Sequence, residues 1–144
     1  MKAVVAAIAL ALAAPGFAAA EQSKTFGDIE IHYNAMGTEN LKPEVAKNYK
    51  ITRSKSRGLL TISVLKKNTM GVAQPVPAEI TATAVNLNAQ LSSIDMREIK
   101  EGTAIYYLGE YRVSPPDTLK FNITAKVKGA PQTYSFDFQQ EFYP

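Results

Sequence analysis

The feature that most constrains the fold is a strict alternation of apolar and polar residues in the last third of the chain. From residue 119 to residue 127 every second side chain is apolar, and the intervening ones are Lys, Asn or Thr. A period of two is typical of a β-strand with one buried face, because successive strand residues point to opposite faces of a sheet. A Gly-Ala-Pro turn signal at 129–131 precedes a second alternating segment at 134–140. The sequence therefore predicts a hairpin at this end of the chain.

Five more segments favour strands, and one favours a helix. Pro43 and Glu44 suit a first helical turn, and Lys47 and Lys50 suit the negative end of a short helix over 43–50. Several short strands separated by turn signals predict an all-β fold, namely an immunoglobulin- or fibronectin-like antiparallel β-sandwich of about seven strands with one short helix. The remaining predicted strands cover residues 28–35, 60–64, 78–88, 91–99 and 104–113.

The first twenty residues have the pattern of a secretory signal. Lys2 precedes an apolar stretch over 3–14, and Ala18, Ala19 and Ala20 form a small-residue cleavage site. The stretch is shorter than the roughly 18 to 20 residues of a membrane-spanning helix. We expect residues 1–20 to be a signal peptide cleaved after Ala20, and residues 21–144 to form a single periplasmic β-sandwich domain without a transmembrane segment.

Composition excludes several classes of protein. The chain has no Cys, which excludes disulfides and thiolate sites. Of its 16 Lys and Arg residues one precedes residue 21, so 15 stand against 13 Asp and Glu in the remainder, a net charge of +2. That charge is too small to indicate a nucleic-acid partner. We expect a monomer without a cofactor.

Four segments together resemble a known family. They lie at residues 26–35, 41–46, 53–55 and 104–107, and they are similar to the small exported bacterial proteins grouped as domain of unknown function 4426. The resemblance covers nearly all of residues 21–144. It implies a periplasmic domain of one piece, and it implies no activity, cofactor or partner because the family is uncharacterised.

His32 is the single histidine and the first residue to consider for catalysis. Glu30 and Asn34 share its strand face at roughly 6.6 Å along the strand, so no local carboxylate is expected to orient the ring as a catalytic triad requires. A structural or exposed histidine is the favoured interpretation. If His32 is functional, Asn34 and the segment 53–55 are its expected companions, because both lie in the segments of the family resemblance.

Soft metal ligands and aromatic residues have simpler explanations. Met36, Met70 and Met96 lack close spacing to His32, so packing explains them better than a copper site, and no zinc motif is present. Tyr106, Tyr107 and Tyr111 lie on one predicted strand, with the last two on one face and the first on the other. One face is expected to be core, and the alternative for the other face is a carbohydrate-stacking platform.

The longest stretch of one charge sign lies between residues 47 and 67, with seven Lys or Arg and no Asp or Glu. It favours either a solvated surface or a contact of Arg53, Lys55 and Arg57 with an anionic envelope component. The favoured function is a non-enzymatic binding or accessory module of the cell envelope. The alternatives are a chaperone-like protein that uses an exposed edge strand and, less favoured, a small enzyme that uses His32.

Overall fold

The computed structural model describes residues 22–144, so the predicted signal peptide lies outside the described residues. This part of the chain contains a 3-10 helix (Thr38–Asn40) and the helix α1 (Pro43–Asn48), and neither is long and apolar enough to cross a bilayer. Its strands are β1 (Gln22–Phe26), β2 (Ile29–Gly37), β3 (Arg57–Lys67), β4 (Ala73–Pro75), β5 (Ala78–Val85), β6 (Leu91–Ile94), β7 (Arg97–Glu101), β8 (Ala104–Arg112), β9 (Asp117–Val127) and β10 (Thr133–Phe142).

The strands form two sheets in which every pairing is antiparallel. The first sheet has the order β1-β2-β3-β8-β7, with β4 also paired to β3, and the second sheet has the order β10-β9-β5-β6. The predicted antiparallel β-sandwich with one short helix is confirmed. The described residues contain ten strands, however, rather than about seven.

The main core lies between the sheets and follows the predicted alternation. In β9 the apolar positions are buried and the intervening ones are exposed or half-buried, with Phe121 and Ile123 at 0% exposure. The predicted hairpin is confirmed because β10 pairs with β9 along its whole length, with Phe138 opposite Phe121. The phenyl rings of these two residues stack at a centroid distance of 4.9 Å.

The predicted single strand over 91–99 is wrong. The chain leaves the second sheet at the end of β6 and enters the first sheet at the start of β7. At this crossing Met96 packs closely on β8, where a Cβ atom on Gly109 would lie 2.4 Å from the Met96 Sδ. No Gly or Pro separates the two strands, so the sequence pattern cannot show that the chain changes sheets.

A smaller core covers part of the outer face of the first sheet. Leu59, Tyr106 and Leu108 project outward from β3 and β8, and the segment containing α1 buries them with Leu41 and Ala46. Tyr106 is only 6% exposed. The carbohydrate-stacking alternative for this face of β8 is therefore wrong, because the helical segment occupies the surface that a sugar ring would need.

Candidate functional site

His32 lies on the outer face of β2 in contact with a carboxylate. The His32 Nε2 is 3.3 Å from the Glu30 Oε1, and the Lys67 Nζ is 2.7 Å from the Glu30 Oε2. The Lys67 ammonium lowers the pKa of Glu30, burial partly opposes this effect, and His32 adds to the lowering. The expectation that no local carboxylate reaches the ring is wrong, since both side chains point to one face and a long Glu side chain can lean along its strand.

Asn34 continues this outer face toward the covered part of the sheet. It is 6% exposed, and its Nδ2 donates to the Met36 Sδ at 3.8 Å. Thr61 lies opposite Asn34 on β3, and its buried Oγ1 has no hydrogen-bond partner among the described residues. His32 and Asn34 therefore share a face of the sheet, as predicted. Asn34 is buried opposite Thr61, however, and does not line an open cleft.

The predicted basic residues lie at a different place on the first sheet. Arg57 begins β3, whereas His32 pairs with Ser63 six residues further along that strand. At about 3.3 Å per residue the separation along the strand is roughly 20 Å. The structure therefore does not bring Arg57 and His32 into one site.

Two of the three basic side chains form local contacts. The Arg53 Nη2 donates to the Glu39 backbone oxygen at 2.9 Å. The Nε and Nη2 of Arg57 donate to the Glu110 Oε1 at 3.2 and 3.0 Å. Lys55 is exposed, and no ion pair to it is described within residues 22–144. Arg53 and Arg57 thus help to hold the connection between α1 and β3. Of the three basic residues, Lys55 is the one most accessible to a partner.

Apart from the three-residue β4, four edge strands of the two sheets differ in how well they are protected. β1 and β7 have five residues each, β6 has four, and β10 has ten. Short length and Lys side chains discourage an edge strand from pairing with another chain. β1 contains Lys24 and β7 contains Lys100, whereas β10 contains no Lys, Arg or Pro. The long edge of β10 is therefore the least protected backbone in the part of the chain that the structure describes.

Half-buried aromatic side chains line this edge on the core side. Tyr134, Phe136 and Phe138 alternate along β10 and remain partly accessible. The Phe26 ring of β1 lies 5.1 Å from that of Tyr134, and the Tyr33 ring lies 4.5 Å from that of Phe138. An exposed backbone edge thus runs beside a row of apolar side chains. The alternation at 134–140 predicted that these side chains share one face of the strand. The edge position of β10 was not predictable, because strand order depends on contacts between distant segments.

The described side chains do not form a convergent metal site. Within residues 22–144 no three His, Cys, Asp or Glu residues are grouped closely enough to hold an ion. Met36 lies four residues beyond His32, or about 13 Å along β2. The sequence-based expectation that the protein has no metal centre stays a prediction.

The fold and these surfaces define a small two-sheet antiparallel β-sandwich with an open edge strand. The family model of the domain of unknown function DUF4426 matches residues 23–144, so the chain belongs to that family. A crystal structure of a DUF4426 family protein from Pseudomonas aeruginosa PAO1 has a TM-score of 0.72 and 33% identity, with 86% of this chain and 95% of that chain covered. No curated protein matches the chain.

Two structures of FetP from uropathogenic Escherichia coli strain F11 have the same overall fold. A copper-bound variant has 12% identity and a TM-score of 0.61, with 85% of this chain and 95% of that chain covered. The as-isolated protein has 11% identity and a TM-score of 0.60, with 85% and 93% covered. At this level of identity the similarity concerns the fold.

Proposed function

We propose that the protein is an exported, non-enzymatic binding module of the bacterial cell envelope. In this proposal the open edge of β10 pairs with an extended segment of a partner protein. The observation that supports it most strongly is the contrast among the edge strands, because β10 is twice as long as β1 or β7 and lacks their basic residues. This contrast favours the edge-strand mode of binding over the other modes considered from the sequence.

The physical basis is the addition of a strand to a sheet. An edge strand presents unpaired N–H and C=O groups that an extended peptide can satisfy, and pockets for alternate side chains supply specificity. Along β10 those alternate positions lie beside Tyr134, Phe136 and Phe138. A partner segment with apolar residues at every second position would cover these rings and remove their exposed area from water.

Location in the envelope is supported by the signal pattern of residues 1–20. The copper-bound state belongs to FetP, and the proposal for this chain includes no metal. The proposed module thus acts through its surface and without a metal.

The experiment is capture of envelope proteins after brief cross-linking, with wild-type protein and edge-blocked variants. Gln139→Pro and Gln140→Pro are made separately, because neighbouring strand residues direct their N–H groups to opposite sides and only one of the two positions donates to β9. A Pro at the position that donates to β9 should lower the thermal midpoint. The variant that keeps its thermal midpoint is therefore the one in which Pro blocks the outer edge. It should capture its partner about tenfold less well, which corresponds to one lost hydrogen bond of about 1.4 kcal/mol. Equal capture by this variant and by wild type would contradict the proposal.

A second candidate contact is an anionic envelope component at the basic segment. Lys47, Lys50 and Lys55 are exposed, and no ion pairs to them are described in residues 22–144. Replacement of all three by Gln should remove any association that weakens between low and physiological salt, where charges are screened over about 8 Å. Arg57→Gln is the matched control, since that side chain is already paired with Glu110. Association that survives both salt and the triple variant would exclude this contact.

A further inference from the structure

A shallow cleft lies on the outer face of the second sheet, beside the open edge of β10. Its volume is about 370 Å³, which is enough for one long side chain, and its lining residues are Thr118, Gln139, Gln140, Glu141 and Tyr143. Gln139 and Glu141 are exposed, because strand alternation turns them away from the core side of β10. Thr118 lies opposite Glu141 on β9, one strand inward. The cleft therefore adjoins the edge to which the proposed partner strand would be added.

Of the described residues that line this cleft, only Glu141 is charged. The Tyr143 hydroxyl donates to the Glu141 Oε1, and no contact to the Glu141 Oε2 is described within residues 22–144. A carboxylate can accept several hydrogen bonds, so its second oxygen can still receive a cation. Tyr143 is 71% exposed, and an aromatic ring attracts a cation that lies over its face. The cleft is therefore suited to a basic side chain.

The other carboxylate of β10 is occupied within the sheet. The Asp137 Oδ1 accepts from the Asn122 Nδ2 at 2.6 Å, and the Asp137 Oδ2 lies 3.8 Å from the Lys120 Nζ. Lys120 is opposite Gln139, midway between Asp137 and Glu141, so its contact with Asp137 takes the ammonium group away from Glu141. β10 itself contains no Lys or Arg. Glu141 is thus the acid of this edge whose charge is available to a partner.

We propose that the partner strand carries Lys or Arg opposite Glu141, and that the cleft selects this basic residue. This inference rests on the proposed addition of a strand at β10. Side chains directly opposite each other on one face of a sheet have Cβ atoms about 4.5 to 5.5 Å apart, so a Lys or Arg at that position can reach the carboxylate. The alternate positions of the partner would cover Phe136 and Phe138 on the core side. The expected partner is a strand in which apolar and basic residues alternate.

The test is a fluorescence-anisotropy titration with three labelled peptides, in which Val alternates with Lys, with Gln or with Glu. The Lys peptide should bind wild type about threefold to fivefold more tightly than the Gln peptide, the range expected for one exposed ion pair between neighbouring strands. The Glu peptide should bind more weakly than the Gln peptide, because like charges on facing strands repel. The preference for Lys over Gln should disappear at about 1 M salt, where exposed charges are screened.

Variants assign this preference to the cleft. In Glu141→Gln the Lys and Gln peptides should bind within about twofold of each other, because the ion pair is lost. Glu79→Gln is the matched control and should keep the preference, since Glu79 is exposed on the same sheet but lies two strands away from β10. The folded edge-blocking Pro variant should bind all three peptides more weakly, because they use the same edge.

The outcomes that overturn the inference differ in what they mean for the edge. If the Lys and Gln peptides bind wild type equally, or if the preference persists in Glu141→Gln, the cleft does not select a basic residue, and strand addition at β10 stands. If no peptide binds wild type below about 1 mM, or if the Pro variant binds as well as wild type, strand addition is contradicted and this inference falls with it.

Discussion

Two tyrosines of β8 point into the core, and their hydroxyl groups differ in what they contact. The Tyr107 hydroxyl accepts a hydrogen bond from the Ala78 N–H at 2.8 Å and donates to the Glu98 Oε2 at 3.2 Å. The Tyr111 hydroxyl is buried and has no hydrogen-bond partner in residues 22–144. Burial is the main reason that the pKa of each tyrosine is raised.

This difference predicts opposite results for the same substitution. Tyr107→Phe should lower the free energy of unfolding by about 1 to 3 kcal/mol, because the Ala78 N–H loses its partner. Tyr111→Phe removes a hydroxyl that gains nothing from burial, so it should be neutral or stabilising. Urea denaturation of the two variants measures both effects, and equal losses would show that the hydroxyl contacts are wrongly assigned.

Glu30 predicts a dependence of stability on acid pH. Its pKa lies below the ordinary value of 4.5, mainly because of the hydrogen bond from Lys67. A lowered folded-state pKa stabilises the protein above pH 4.5, and this contribution is lost as the pH falls through the folded-state value. Glu30→Gln should therefore reduce the loss of stability that wild type shows at acid pH. If the free energy of unfolding depends on acid pH in the same way for wild type and Glu30→Gln, the ion-pair assignment is contradicted.

At the scale of elements, the alternating pattern predicted the strands that have one face in the main core. It identified β2, β3, β9 and β10, and it assigned the buried face of β9 correctly. It did not identify β1, whose residues are nearly all exposed, or the three-residue β4. Strands that bury little apolar area leave no periodic signal, and a crossing between sheets such as that between β6 and β7 leaves none either.

The facing of β9 can be tested by a matched pair of substitutions. Phe121 is fully buried, and its ring contacts those of Tyr111 and Phe138. Phe121→Ala should lower the free energy of unfolding by about 3 to 5 kcal/mol, because it leaves a large cavity. Lys126→Ala, on the exposed face of the same strand, should change it by less than about 0.5 kcal/mol. Comparable losses at the two positions would contradict the assigned facing.

At the scale of the whole molecule, the sequence predicted the class of fold better than the surface. Local alternation encodes which side of each strand is buried, so the sandwich followed from it. The edge position of β10 and the Arg57–Glu110 pair both depend on segments far apart in sequence. His32 and Asn34 were placed on one face correctly because they belong to one strand. Arg53 and Arg57 make local contacts that the sequence could not show, and their role in binding stays a prediction.

Export predicts a defined N-terminus. If residues 1–20 are a signal peptide, the protein recovered from the periplasm begins at Glu21, because the small residues Ala18 and Ala20 direct cleavage there. Intact-mass spectrometry of the periplasmic fraction measures this directly. A periplasmic pool that still begins at Met1 would contradict both the cleavage site and the proposed route of export.

The most direct test of the proposed function is site-specific photo-cross-linking in living cells. A photoreactive residue is placed at Ser135 or Gln139, which are exposed on β10, and at Lys126, which is exposed on β9 one strand inward. The proposal predicts adducts with an envelope protein from both β10 positions, none from Lys126, and their loss when the folded edge-blocking Pro variant is combined with the Ser135 probe. Adducts from Lys126 with none from Ser135 or Gln139 would show that the partner binds elsewhere.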